Sequence, residues 1–290
     1  MQSLLILKAK AMTIEGKSKI NLALNIEGTL PNGYHSIKTV FQQVSLSDEI
    51  SMEFGRDGVN LTCSQAKIPS DEKNIAYRAA VSFYEATGIS DGVAIHIEKR
   101  IPSEAGLAGG SADAAAVLKG MNDYYGKPLS DDRLIQLGLT LGADVPFCIL
   151  GGTALAEGVG EILTPIESKI KEKVLIVKPK VGVSTPWAYK ELDKKGFTPV
   201  DVQKVIASLK NGDFLSLCQS MGNVFEQVVL PEFGEVKAVK EKLFDLGAMG
   251  AMMSGSGTAV FAFFKNQNAM ENAFNHFKEN GLDVFITEMI

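Results

Sequence analysis

The sequence predicts an α+β protein of about two domains, and three observations carry that expectation. The chain has 290 residues, which at ~150 residues per domain suggests two. Segments of period-two hydrophobicity alternate with segments of helical period along the chain. Beyond Pro165, once extra helices are set aside, the segments run strand, helix, strand, strand, helix, strand, which is the split-βαβ, ferredoxin-like order. We therefore expect a first domain over 12–167 and a second over 172–290.

The elements follow in order. Ile20, Leu22, Leu24 and Ile26 alternate with Asn21, Ala23 and Asn25, which predicts a half-buried strand. Pro31, Asn32 and Gly33 predict a turn. Val40, Val44 and Leu46 read as one strand and Ile50, Met52 and Phe54 as the next. Ile75, Ala79, Ala80, Phe83 and Ala86 keep helical spacing, with Gly88 as the stop. Val93, Ile95 and Ile97 predict a strand ending near Lys99. After a glycine-rich stretch, 111–121 is Ala-rich and helical. Ser130 caps a helix carrying Leu134, Leu137 and Leu141. In the second half we expect a buried strand at 174–177, helices through 186–228, and a helix over Val236, Val239, Leu243 and Leu246 that ends at Gly247. A strand at 249–253, a turn, a strand at 259–264, a helix at 268–280 and a strand at 283–287 complete the order.

Composition narrows the function classes. Apolar residues are 46% and charged residues 22% of the chain, ordinary globular values that exclude collagen, coiled coil and disorder. A chain of this length buries roughly 75% of its unfolded surface and needs no staple. The net charge of −5, without long blocks of one sign, argues against a nucleic-acid or anionic-membrane surface. Cys63, Cys148 and Cys218 form no CxxC pair, and His35, His96 and His276 are scattered, so no metal framework is expected and a reducing compartment is. The apolar run at 4–7 is too short for a signal-peptide core. No apolar run approaches the ~18 residues of a membrane span. The expectation is a cytoplasmic protein.

Five motifs could carry chemistry. Pro102, Ser103, Glu104, Ala105, Gly106, Leu107, Ala108, Gly109, Gly110, Ser111 and Ala112 lie between a strand and a helix. Glycines there let backbone N–H groups approach an anion at a helix N-terminus, and Ser111 can cap that helix or contact a phosphate or Mg²⁺. The stretch is neither a Walker loop nor a Rossmann fingerprint; alone it is as well read as a flexible turn. Asp144 sits on an expected turn between a helix and an apolar strand, where it could take a hydroxyl proton or simply form the turn. Lys19 and Asn21 share one face of the first strand, either to bind phosphate or as a solvated edge. Tyr34 and His35 follow the Gly33 turn and could stack on and hydrogen-bond a base, or complete an ordinary turn. Ser254, Gly255, Ser256 and Gly257 form either a phosphate-side nest or a hairpin turn.

Together, in this order and spacing, the five motifs resemble the GHMP kinases, the superfamily of galactokinase, homoserine kinase, mevalonate kinase and phosphomevalonate kinase. The match runs from about Lys19 over essentially the whole chain. "SKINLALNI", "NGYHSIKTVFQQV" and "LGLTLGADVPF" with "GGTALAEGVGE" are more specific; they resemble the branch acting on 4-diphosphocytidyl-2-C-methyl-D-erythritol.

The resemblance implies a two-domain GHMP kinase fold, with a ribosomal-protein-S5-like N-terminal domain and a ferredoxin-like C-terminal one. It implies ATP and Mg²⁺, a small-molecule cytidine-diphosphate substrate, and a monomer or weak homodimer. Asp144 matches the catalytic aspartate that takes the proton of the substrate 2-hydroxyl, and Lys19 the active-site lysine. The 102–112 stretch matches the ATP phosphate loop, Asn74 and Lys99 match the adenosine pocket, and Gly255, Ser256 and Gly257 match the third motif. Asn21, Tyr34, His35 and Phe41 match the cytidine-diphosphate side. Tyr189 matches the aromatic that stacks on cytosine, with Trp187 as its rival.

The chain departs from the family pattern at four places. Lys17 and Ser18 replace a Pro-Ala pair, Thr258 stands where proline is common, and Glu104 puts a carboxylate inside the loop, to hold Mg²⁺ or to repel phosphate. Residues 1–11 read as an added leader, with Met12 as a start nearer the family's. Two other readings stay open at this point: a homoserine- or mevalonate-type kinase, and a non-catalytic nucleotide-binding regulator.

Overall fold

The structure is a computed structural model that describes residues 11–31 and 33–290. The expected leader, apart from Ala11, lies outside the described residues, and so does Asn32 of the expected turn. In chain order the elements are β1 (Ala11–Thr29), β2 (His35–Phe54), β3 (Val59–Cys63), α1 (Ile75–Thr87), β4 (Val93–Glu98), α2 (Gly109–Tyr124), α3 (Asp131–Leu141), α4 (Val145–Leu150), β5 (Thr153–Glu157), β6 (Ile162–Pro165) and β7 (Lys173–Lys178). Then come α5 (Thr185–Lys195), α6 (Val202–Asn211), α7 (Phe214–Ser220), β8 (Gly222–Asn223), α8 (Glu226–Glu232), α9 (Gly234–Asp245), β9 (Ala248–Met253), β10 (Val260–Phe264), α10 (Gln267–Glu279) and β11 (Asp283–Glu288). The described residues form two compact units that interleave along the chain. One holds 11–16, Ser47–Arg100 and Gly110–Ile149; the other holds Lys17–Leu46, Ile101–Gly109 and Leu150–Ile290.

In the first unit, Glu49–Phe54 of β2 pairs antiparallel with β4, and β3 runs parallel to β4. Asn74 caps α1, accepting from the Ala76 N–H at 2.9 Å, and Gly88 closes it in the left-handed conformation at φ +68°, as its sequence signals predict. Helix α2 is buried nearly all round, with Ala112, Ala114, Ala115, Val117, Leu118 and Met121 among its enclosed residues. Its alanines permit close packing. A Cβ on Gly16 would sit 2.9 Å from the Ala112 carbonyl oxygen, so the backbones of β1 and α2 meet without a side chain between them. Ser130 caps α3 by accepting from the Arg133 N–H at 3.4 Å.

In the second unit the four-stranded sheet has the order β11-β7-β10-β9, antiparallel throughout. With α9 between β7 and β9 and α10 between β10 and β11, this is the expected ferredoxin-like order. Val236, Leu243, Met270 and Phe277 of the two helices share a core with Leu175 and Val260 of the sheet. The same unit pairs Thr39–Gln42 of β2 with β5, β5 with β6, and Ala23 and Leu24 of β1 with β8.

Four expectations are corrected. The two strands expected over 40–54 are one continuous strand, β2; the polar Ser47-Asp48-Glu49 stretch that suggested a break stays in the ladder because Asp48 is buried rather than solvated. The apolar residues after Asp144 form α4, not a strand; Pro146 lies in its first turn, where a missing N–H is harmless. Ser111 is not a cap, because α2 already begins at Gly109. The helical block expected over 186–228 contains the short strand β8. Strands β3, β5 and β6 have too few alternating apolar residues to announce themselves.

Candidate functional site

The loop before α2 has an unusual backbone. Glu104, Gly106 and Ala108 have φ of +50°, +73° and +58°, left-handed residues at alternate positions. Such alternation of hand is the backbone pattern of nests, in which successive N–H groups can face an anion. Two of the three are not glycines, so the surroundings must hold them. They do. Lys19 N donates to the Leu107 carbonyl at 3.2 Å, Ser254 Oγ to the Gly106 carbonyl at 2.9 Å, and the N–H groups of Thr258 and Ala259 to the carbonyls of Glu104 and Ala105 at 3.3 and 3.1 Å. Gly106 itself is obligatory, because a Cβ there would lie 2.0 Å from the Ser254 carbonyl oxygen. The Glu104 carboxylate lies against Gly182, where an added Cβ would come within 2.4 Å of Oε2.

Lys19 and Asn21 lie on one face of β1, as the period-two reading predicts. Lys19 Nζ donates to Asn21 Oδ1 and to the Gly106 carbonyl, both at 2.9 Å. Asn21 Nδ2 donates to Thr39 Oγ1 at 2.8 Å, and that hydroxyl donates to the Ala23 carbonyl at 2.6 Å. Lys19, Asn21 and Thr39 are all buried. The Lys19 ammonium also stands 5.1 Å from the Phe41 ring centroid, in cation–π range. The structure thus brings Lys19, Asn21, Phe41 and the loop together.

Gly255, Ser256 and Gly257 lie in the turn joining the antiparallel strands β9 and β10. Asn223 splints it, its Nδ2 donating to the Met253 and Gly255 carbonyls at 2.7 and 2.8 Å. Ser256 Oγ lies 2.7 Å from Thr185 Oγ1. His35 stacks on Tyr189, centroids 4.5 Å apart, and its Nε2 lies 2.7 Å from Asp193 Oδ1. Trp187, the rival aromatic, packs edge-on against Phe233 instead. Tyr34 is 65% exposed.

Asp144 occupies the short link between α3 and α4, half-buried, its carbonyl accepting from the Cys148 N–H at 3.1 Å. The Asn74 side chain is committed to capping α1 and to the Pro69 carbonyl at 2.8 Å. Ile75, the next residue, lies 3.6 Å from where a Gly110 Cβ would stand. Lys99 is committed too: its ammonium donates to Asp48 Oδ2 and, at 2.8 Å, to Asp113 Oδ2. Asp48 Oδ1 accepts from the Arg100 N–H at 2.5 Å. Burial alone would push the Lys99 ammonium down, but Asp113 and Asp48 outweigh it and hold it up. Burial drives the Asp113 carboxyl up to about 8, against Lys99 and with help from Asp48.

Sequence reasoning missed Asp48, Asp113, Thr39, Asn223 and Asp193. Only Asp113 left a signal: it is the one charge within an otherwise small and apolar helical run, 112–118. The others depend on pairing across the chain. Among the described residues, no three His, Cys, Asp or Glu side chains come together as a metal site, and no helix is long and apolar enough to cross a membrane.

Comparisons with known proteins agree on a family. The model of the GHMP kinases N terminal domain matches residues 74–152, and that of the GHMP kinases C terminal domain matches 205–283. The 4-diphosphocytidyl-2-C-methyl-D-erythritol kinase of Clostridium acetobutylicum is 42% identical over 280 residues, covering 96% of this chain and all of the relative. The enzyme of the same name from Acetivibrio thermocellus is 41% identical, covering 97% of this chain and all of the relative. A crystal structure of 4-(cytidine 5'-diphospho)-2C-methyl-D-erythritol kinase superposes with a TM-score of 0.83 at 33% identity, over 96% of this chain and 99% of the other. Homoserine kinase from Cytophaga hutchinsonii shares the fold, with a TM-score of 0.71 at 21% identity, over all of this chain and 96% of the other.

Proposed function

This chain belongs to the GHMP kinases, and from that premise we propose that it transfers the γ-phosphoryl group of ATP to the 2-hydroxyl of 4-diphosphocytidyl-2-C-methyl-D-erythritol, a step of non-mevalonate isoprenoid biosynthesis. The observation that carries the reading is the loop at 102–112, whose left-handed residues at 104, 106 and 108 suit a polyphosphate. Phosphoryl transfer asks a protein chiefly for positioning and charge neutralisation, and these residues supply both.

In this reading the loop N–H groups and the start of α2 receive the phosphates. Lys19, fixed by Asn21 and Gly106, polarises the acceptor oxygen, and Asp144 takes its proton. Asn74 and Lys99 line the adenosine side by shape, since their polar atoms are engaged within the protein. Gly255, Ser256 and Gly257 close the loop from the other flank. Asn21, Tyr34, His35, Phe41 and Tyr189 receive the cytidine diphosphate, the stacked His35–Tyr189 pair offering aromatic faces to a base. The described residues build no metal cage, so Mg²⁺ would arrive on the nucleotide's phosphates, as is usual for this ion; it would neutralise phosphate charge, and no step above is assigned to it. The cysteines are thiols without a disulfide, which supports the cytoplasm.

Asp144→Asn tests the reading. ADP release coupled to the cytidyl substrate should fall by roughly 10²–10⁴-fold, the usual worth of a general base, while nucleotide binding persists. Near-normal turnover in the variant sinks the base assignment. Faster turnover by the wild type of homoserine or mevalonate than of the cytidyl compound would favour the rival substrates.

A further inference from the structure

Asp48, Lys99 and Asp113 put two carboxylates against one ammonium inside the first unit, with side chains no more than 5% exposed. The two acids are not equivalent. Asp48 uses both oxygens, one for Lys99 and one for the Arg100 N–H. Asp113 uses only Oδ2; its Oδ1 is buried and has no hydrogen-bond partner among the described residues. A buried anionic oxygen without a donor is unfavourable by several times the worth of a hydrogen bond. A protonated one is merely a neutral acid. The proton of this trio therefore belongs on the Asp113 carboxyl, and the trio is then electrically neutral: one ammonium, one carboxylate, one acid.

Asp113 is also the fifth residue of α2, about 6 Å along the axis from its first residue at 1.5 Å per residue. A negative charge there would oppose an anion at the helix start, and the helix dipole would no longer act alone. The rigid end of this arrangement is well defined. Lys99 N donates to Ser64 Oγ at 3.0 Å, and Arg100 N to Asp48, so the segment after β4 and the buried part of β2 together hold α2 at Asp113.

We propose that Asp113 is a positioning residue that must carry a proton for the nucleotide to bind: as a neutral acid held by Lys99 and Asp48 it fixes the first turns of α2 while keeping negative charge away from the phosphates. This rests on the reading of 102–112 as the phosphate loop. The charged and titratable groups facing Asp113 are Lys99 after β4, Asp48 of β2 and the Cys63 thiol at the end of β3, which burial holds above its ordinary range. Lys99 stays charged over the working range, which leaves Asp113 as the group that titrates.

The test is calorimetric titration of the whole chain with ADP at saturating Mg²⁺, in two buffers of different ionisation enthalpy. At pH 8, where Asp113 is about half protonated, binding should take up about half a proton from the buffer onto its carboxyl. Between pH 7.5 and 9 the apparent affinity should fall about eightfold, as the competent fraction falls. Asp113→Asn cannot lose a proton, so its uptake should vanish and its affinity profile should flatten. Binding by the wild type with no uptake overturns the proposal, as does an Asp113→Asn profile that still falls with pH. Failure of the wild type to bind ADP at any pH overturns the phosphate-loop reading as well, which separates the two.

Discussion

Two buried lysines organise this molecule in opposite ways. Lys19 donates to Asn21 and to the Gly106 carbonyl, two neutral acceptors that fix the direction of its ammonium. Lys99 donates to two carboxylates, which over-compensate it unless one of them carries a proton. The difference shows in what surrounds each. Around Lys19, amide, hydroxyl and carbonyl groups form an ordered chain of donors and acceptors through Asn21 and Thr39 to Ala23. Around Lys99, one carboxylate oxygen is left with no hydrogen-bond partner. Neutral partners position a charge for use elsewhere; charged partners consume it in holding the fold.

The sharpest way to break that contrast is to remove each ammonium in turn. Lys99→Met leaves a buried carboxylate and its protonated partner without their cation, and removal of one member of a buried ion group destabilises by about 3–5 kcal/mol. Lys19→Met removes the hydrogen bonds to Asn21 and to the Gly106 carbonyl, and the stability lost with those bonds should be nearer 1–2 kcal/mol, while turnover should fall by about 10²–10³-fold. Urea unfolding and coupled ADP release on both variants decide it. If Lys19→Met is the more destabilised of the two, the contrast is wrong.

A second prediction concerns pH. The Asp113 carboxyl lies at about 8 in the folded protein against 3.8 for an ordinary aspartate. The folded state therefore holds a proton that the unfolded chain has released between those values. The stabilisation from this group is complete below about pH 4, drains away as pH rises toward 8, and changes no further above it. Wild type should lose stability relative to Asp113→Asn by ~1 kcal/mol for each pH unit between 5.5 and 7.5, read as the difference in urea midpoints at the two pH values. A constant difference would place the proton elsewhere.

The two lysine regions also differ in how far they could be read from the chain. Lys19 and Asn21 were legible because a strand repeats every two residues, so their common face needs no knowledge of the rest of the fold. The ferredoxin-like order was legible because β7, β9, β10 and β11 are short, apolar and separated by strong helices. The Lys99 region was not. Asp48 stands in a polar stretch that reads as a break, yet it is wholly buried within β2. Nothing local shows that a lysine 51 positions away will reach it. Asp113 and Lys99 lie only 14 residues apart, but their meeting depends on the loop between them turning back through left-handed residues, two of them not glycine. The same limit hid Asn223, whose role is set by strand pairing 30 and 32 residues on.

The smallest predicted effect probes the neutral chain itself. Thr39 Oγ1 accepts from Asn21 Nδ2 at 2.8 Å and donates to the Ala23 carbonyl at 2.6 Å, and the residue is wholly buried. Thr39→Val keeps nearly the same volume and the β-branched shape that suits β2. It leaves the Asn21 amide without its acceptor and the Ala23 carbonyl without that donor, at about 1 kcal/mol in stability. If Asn21 is oriented by this hydroxyl, its Oδ1 loses alignment with Lys19, and kcat should fall a few-fold with the affinity for ADP unchanged. That split matters, because a variant that was only less stable would keep its kcat in the folded fraction. Unaltered kcat in a measurably destabilised Thr39→Val would mean that packing alone orients Asn21, and that the chain of neutral bonds ends at Asn21.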